Sequence, residues 1–101
     1  MAEVAFDETI HAPVRLRICG LLRPVDKLEF SVLRDTLDVS DATLSKHLKT
    51  LSTAGYATAD KAASADRRDA RRLTWLSLTP AGRVAFDAHV RALQAITTPA
   101  D

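Results

Sequence analysis

The sequence predicts a mainly helical α+β domain in which two short helices joined by a tight turn are followed by a two-stranded hairpin and a last helix. Three observations predict it. The stretch SDATLSKHLKTL, residues 40–51, opens on a serine that can accept from free first-turn N–H groups and places Leu44, Leu48 and Leu51 on one face. A shorter leucine-paired segment, SVLRDTL, precedes it across only Asp38, Val39 and Ser40. Beyond Gly55 the pattern changes toward period two, at Tyr56–Lys61 and again at Arg71–Leu78.

Taken in order, the chain starts with eight residues expected to form a flexible arm, and a single domain is expected over residues 9–97 with a frayed tail at 98–101. ETIHAPVRLRICGLL reads as helix with its regular part from Pro13 to Leu22, because proline is tolerated at a helix start. Val14, Ile18, Leu21 and Leu22 form its apolar stripe, Cys19 sits within it as a small buried hydrophobe, and Arg15 and Arg17 are expected on the solvated side. His11 is expected to cap or to lie at an interface. Pro24 stops this helix, and a short extended stretch is expected at Leu28–Phe30.

Ser31 is expected to cap the next helix. Its buried face is the pair Leu33 and Leu37, helped by Val32 or Phe30, and Val39 is available to plug the corner between it and the following helix. Gly55 supplies the left-handed stop for that second helix, and Tyr56 is expected beneath the first strand. In the second strand, Leu73, Trp75 and Ser77 face one way and Thr74, Leu76 and Leu78 the other. Thr79 and Pro80 are an N-cap and first-turn pair opening the last helix. There Phe86, Val90, Leu93 and Ile96 mark one face, alanines smooth much of the rest, and His89 is expected at the surface or an interface.

Composition limits what such a domain can do. A chain of 101 residues, 47% hydrophobic and 27% charged, fits one core. Apolar runs are too short to span a bilayer and the N-terminus lacks a signal segment, so a cytoplasmic protein with no membrane partner is expected. One cysteine excludes an internal disulfide. One cysteine and three scattered histidines give no metal-ligand spacing, so no metal and no cofactor are expected. With three glycines, no phosphate-cradling loop, and no Ser/His/Asp constellation or apolar carboxylate pair, the residues do not support an enzyme.

The chemistry concentrates instead between residues 40 and 72. Seven basic residues there face four acidic ones, an excess of three on a chain whose formal net charge is +1. On the free side of the 40–51 helix, after Ser40 at its start, stand Asp41, Ala42, Thr43, Ser45, Lys46, Lys49 and Thr50, which are small, hydroxylated or charged. Small residues let backbone approach a DNA groove, hydroxyls bond base edges or phosphates, and lysines neutralise phosphate. Between the two strands lies AASADRRDA, whose Arg67 and Arg68, with Arg71 and Arg72 beside them, can follow a phosphate backbone or enter a narrow minor groove. Asp66 and Asp69 suit orienting these arginines through side-chain pairing.

The motifs PVRLRI at Pro13–Ile18, LSKHL at Leu44–Leu48 with Leu51, AGY at Ala54–Tyr56 and LTPAGR at Leu78–Arg83 together resemble one family. Their order and spacing are similar to the winged helix-turn-helix DNA-binding domain of small bacterial transcriptional regulators of the MarR and ArsR type, over roughly residues 9 to 93. The resemblance implies a homodimer on a pseudo-palindromic double-stranded operator. It implies the 40–51 helix in successive major grooves and the hairpin at flanking minor grooves, with His47 half buried at the helix edge. It does not extend to the paired cysteine metal site of many ArsR-like sensors or to the longer helices of MarR-like dimers, which leaves the first and last helices to dimerise. The effector, if any, is unknown. A winged-helix module that binds protein instead of DNA is the competing class. A basic stripe joining Lys46, Lys49 and the wing favours DNA, and an exposed apolar patch there favours protein.

Overall fold

The computed structural model describes residues 6–63 and 72–98, with the side chains of residues 62, 63 and 72 outside that description. Among the described residues five helices and three strands follow one another as α1 (Glu8–His11), α2 (Pro13–Leu22), β1 (Leu28–Glu29), α3 (Phe30–Leu37), α4 (Asp41–Thr53), β2 (Ala57–Ala63), β3 (Arg72–Leu78) and α5 (Pro80–Thr97). The strands form one antiparallel sheet in the order β1-β3-β2, with Leu28 opposite Leu76 and Glu29 opposite Trp75. The wing hairpin is therefore not a free two-stranded ribbon at its base. The short stretch at Leu28–Glu29 pairs with β3 and gives the hairpin a third strand, which a lone hairpin needs for stability.

The end of the expected eight-residue arm is held in place. Asp7 caps α1 by accepting the Ile10 N–H at 3.1 Å, and its other carboxylate oxygen accepts from the Tyr56 hydroxyl at 2.6 Å. Residues 6–8 are thus held, while residues 1–5 lie outside the described ones. Helix α2 starts at Pro13 as expected and buries Ile18, Cys19 and Leu22 completely. Burial, with the nearby Asp7 carboxylate, pushes the Cys19 thiol up to about 11, so it stays protonated and inert. Arg15 is not simply solvated: its guanidinium donates to the Thr9 carbonyl and to His47 Nδ1, tying α2 to α1 and α4.

Ser31 does not cap α3. Glu29 has the extended backbone of the N-cap position, and the Ser31 hydroxyl donates to its carboxylate at 2.6 Å. The helix begins two residues early because β1 runs straight into it. Leu33 and Leu37 form its buried face with Phe30 packed beside them, while Val32 is 48% exposed. Asp38 then turns through a left-handed conformation, φ 55, and Val39 packs onto the core between α3 and α4.

The end of α4 follows from Gly55. At φ 82 it lets its own N–H reach the Ser52 carbonyl and the Tyr56 N–H reach that of Leu51, which satisfies two carbonyls the helix leaves open. Tyr56 in turn accepts the Thr79 N–H on its carbonyl, and the Thr79 hydroxyl caps α5 by accepting from Gly82 N at 2.9 Å. The last helix is thus attached directly to the stop of α4.

The buried face of α5 is not the expected one. Gly82, His89 and Ala92 are buried and Ala85 and Phe86 pack on the core, whereas Val90 and Leu93 are half-buried and Ile96 is 68% exposed. His89 is a buried residue, not a surface one. The small residues decide this: helices pack closest where side chains are shortest, and a polar ring is tolerated inside because both its nitrogens have partners. A bidentate Arg23–Asp87 pair and two bonds from Arg83 to the Arg23 and Val25 carbonyls fix α5 to the loop after α2.

Candidate nucleic-acid interface

Local chemistry starts α4 where the sequence places it. The Ser40 side chain accepts the Thr43 N–H at 3.1 Å and donates to the Thr43 hydroxyl at 3.0 Å, and Asp41 stands in the first turn. Leu44 and Leu51 are fully buried and Leu48 nearly so, which fixes the helix's rotation about its axis. The outward ridge is then Ala42, Lys46, Lys49 and Thr53, at i, i+4, i+7 and i+11, and all four are exposed. Ser45 stands on the flank toward the sheet.

The residues expected to meet DNA divide accordingly. Ala42, Ser45, Lys46 and Lys49 are free to meet a ligand. Ser40 is exposed, but its hydroxyl is occupied by capping. Thr43 and Thr50 are half-buried on the flank toward α1, and the Thr50 hydroxyl donates to the Lys46 carbonyl at 3.2 Å. Of the four expected wing residues, Arg67, Arg68 and Arg71 lie outside the described residues. Arg72 is placed only as the first residue of β3, opposite Ala63.

Two further side chains belong to this surface. A cleft of ≈ 480 Å³ separates α4 from the sheet, with Ser45, Lys49 and Ser52 on the helix side and Ala59, Lys61 and Thr74 on the strands, over Phe30, Leu48 and Leu76. Lys61 thus extends the cationic ridge of α4 onto the base of the wing. Strand alternation could have found it: Ala57, Ala59 and Lys61 share a face, and Asp60 points to the other side, opposite Trp75. Thr53 was legible from helical spacing, seven residues beyond Lys46 and four beyond Lys49.

Asp41 would repel phosphate if bare. It is paired instead: Arg34 on α3 donates to Asp41 at 2.9 Å and to Asp35 at 2.9 Å, and these bonds, that to Asp35 foremost, hold the guanidinium firmly in its charged form. The same pair joins the first helix of the helix-turn-helix to the first turn of the second. His47 is half-buried, as the resemblance implies. Burial, then the charges of Arg15 and Lys46, hold its imidazole below the ordinary histidine value of 6.5. At neutral pH it offers a hydrogen bond and no charge.

The described residues hold no group of three or more His, Cys, Asp or Glu side chains able to bind a metal, and no helix among them is long and apolar enough to cross a membrane.

Comparison with known proteins agrees with this geometry. A family model described as a winged helix DNA-binding domain matches residues 14–97. The uncharacterised protein MJ0432 of Methanocaldococcus jannaschii is 32% identical over 77 residues, covering 76% of this chain and 79% of its own. A transcriptional regulator homologue from Pyrococcus horikoshii superposes with a TM-score of 0.79 at 28% identity, covering 89% of this chain and 85% of that one. A MarR-family transcriptional regulator from Silicibacter pomeroyi superposes with a TM-score of 0.61 at 27% identity, covering 86% of this chain and 60% of that one. The chain spans only about three-fifths of that longer protein. With the helix-turn-helix, the sheet and the last helix all inside the matched span, this chain belongs to the winged-helix DNA-binding domain family, a family of DNA-binding modules and not of enzymes.

Proposed function

We propose that the protein is a transcriptional regulator that binds a pseudo-palindromic double-stranded operator as a homodimer, in the cytoplasm where the genome lies. The carrying observation is the exposed ridge Ala42–Lys46–Lys49 on a helix capped at Ser40, continued by Lys61 on the sheet. Lys46, Ala42 and Ser45 meet base edges in the major groove, and Lys49 and Lys61 neutralise phosphate. Thr43, Thr50 and Ser40 line the entry to the groove. Arg67, Arg68, Arg71 and Arg72 are assigned to the flanking minor groove on the strength of their place in the chain. Relatives that are themselves transcriptional regulators support the regulatory role.

The exposed large apolar side chains of the described residues are Phe6, Val32, Val84 and Ile96, and none is on α4. That distribution favours DNA over a protein partner for α4 and leaves α5 for dimerisation. Beside α5 a groove of ≈ 550 Å³ runs between Phe6, Tyr56, Pro80, Val84 and Ala88, with Val84 69% exposed. A second copy packing its first and last helices here would cover these groups.

Selection of bound duplexes from a random pool, with the mass of the complex measured by light scattering, tests the proposal. Two chains on one duplex are expected, with inverted half-sites about one helical turn apart, ~34–36 Å. A single chain per duplex, or equal affinity for every sequence, would contradict it.

A further inference from the structure

The polar cluster around His89 takes no part in the DNA surface, yet it joins three elements. His89 lies on α5 with no exposed surface. Its Nδ1 accepts the Asp7 backbone N–H at 2.9 Å, and its Nε2 is 3.2 Å from Nδ1 of His11, in the last turn of α1. Phe6 covers both rings, with centroids 4.6 Å from His11 and 4.7 Å from His89. Asp7 carries the connection onward through its carboxylate, which accepts from Tyr56 OH and Ile10 N–H. Tyr56 is the residue after Gly55, where α4 stops.

The backbone amide of Asp7 fixes every proton in this chain of bonds. It is a donor, so His89 Nδ1 must be an acceptor, and the single N–H of neutral His89 is on Nε2. That N–H points at His11, so His11 Nδ1 is also an acceptor. A proton added to His89 would set Nδ1–H against the Asp7 N–H. A proton added to His11 would set Nδ1–H against His89 Nε2–H. Either event must break a bond of the network.

We propose that His89 and His11 form a proton-sensitive latch that holds the N-terminal segment and α1 against α5 and the end of α4, and that acid opens it and weakens DNA binding. The second half rests on the DNA reading of α4. Among the described residues, the charged and titratable groups around the latch are Asp7 and Glu8 from the start of α1 and Tyr56 from the turn after α4, with Cys19 and Arg15 of α2 on the far side of Asp7. Burial, then the neighbouring His11, lowers His89 below 6.5, and the Asp7 and Glu8 carboxylates only partly offset this. Because the folded value lies below the unfolded one, the latch's contribution to stability is complete above about pH 6.5 and is lost as pH falls through the folded value. The loss is limited to about tenfold in the folding constant per pH unit per proton. When the latch opens, Asp7 exchanges Tyr56 for the imidazolium, and α1 no longer supports α4.

The chain has only three histidines, so an NMR titration of the wild-type protein resolves each ring. The expected result is a His89 midpoint below 6.5, with the Asp7 amide and Tyr56 ring signals moving at that same midpoint. A His89 ring that titrates at an ordinary value, or without a response at Asp7 and Tyr56, would overturn the latch. Operator affinity of the wild type and of His89→Asn at pH 7.5 and 5.5 tests the consequence, because His47 titrates alike in both and cancels in their ratio. The wild-type advantage is expected to be smaller at pH 5.5 than at pH 7.5. An unchanged ratio would overturn the regulatory half, and coupled signals with no DNA binding at either pH would support the latch and overturn the reading of α4.

Discussion

Replacing Gly82 by alanine is expected to destabilise the fold by roughly 3 kcal/mol or more, although glycine-to-alanine changes inside helices ordinarily stabilise by about 1 kcal/mol. A Cβ at this position would stand 2.1 Å from the Tyr56 carbonyl oxygen, 2.9 Å from its carbon and 3.0 Å from its Cα. These are backbone atoms and cannot rotate away. The same Tyr56 carbonyl accepts the Thr79 N–H that starts α5, so relief of the clash would pull α5 off the α4–β2 turn. Gly20 is the control. A Cβ there meets only the tip of Phe86 at 3.9 Å, an ordinary separation, so Gly20→Ala should gain about 0.5–1 kcal/mol. Urea unfolding of both variants checks the pair. Equal effects would show that the close approach of Gly82 to Tyr56 does not hold α5 in place.

Removing the two lysines of the α4 ridge should have the largest effect on binding. Lys46→Ala with Lys49→Ala takes away one group assigned to base edges and one assigned to phosphate, and both are exposed. Operator affinity is expected to fall on the order of a hundredfold, from interactions worth about 1–3 kcal/mol each. The slope of log affinity against log salt should become shallower by about 0.9 for each phosphate that the protein no longer neutralises. Fluorescence anisotropy across a salt series measures both. A weaker affinity with an unchanged slope would place Lys49 away from phosphate, and an undiminished affinity would remove the ridge from the interface.

Much of this surface was legible in the residues, for local reasons. Ser40, Gly55 and Thr79 end or begin helices through their own hydrogen bonds to backbone a few residues away, so their roles can be read from spacing alone. Leu44, Leu48 and Leu51 set the rotation of α4 in the same way. What the sequence concealed depends on distant partners. Arg34 neutralises Asp41 only because the turn at Asp38–Ser40 brings α3 beside α4. His89 is buried only because Asp7, 82 residues earlier, and His11 supply partners for its ring. On α5 the aliphatic side chains suggested one face, but the close approach at Gly82 selected another. The pairing of the third strand belongs with these cases: the extended stretch at Leu28–Phe30 could be read, but its partnership with β3 joins residues some 46 positions apart.

On the proposed reading, α4 and the adjoining base of the wing form the surface that meets DNA. Amide and side-chain NMR shifts on adding an operator duplex test it most directly. The predicted result is a set of perturbed signals concentrated at Ala42, Ser45, Lys46, Lys49, Thr53 and Lys61, with those of buried Leu44 and Leu51 changing little. Perturbations concentrated instead on the groove of α5 around Val84 and Ala88, with the α4 ridge silent, would contradict it.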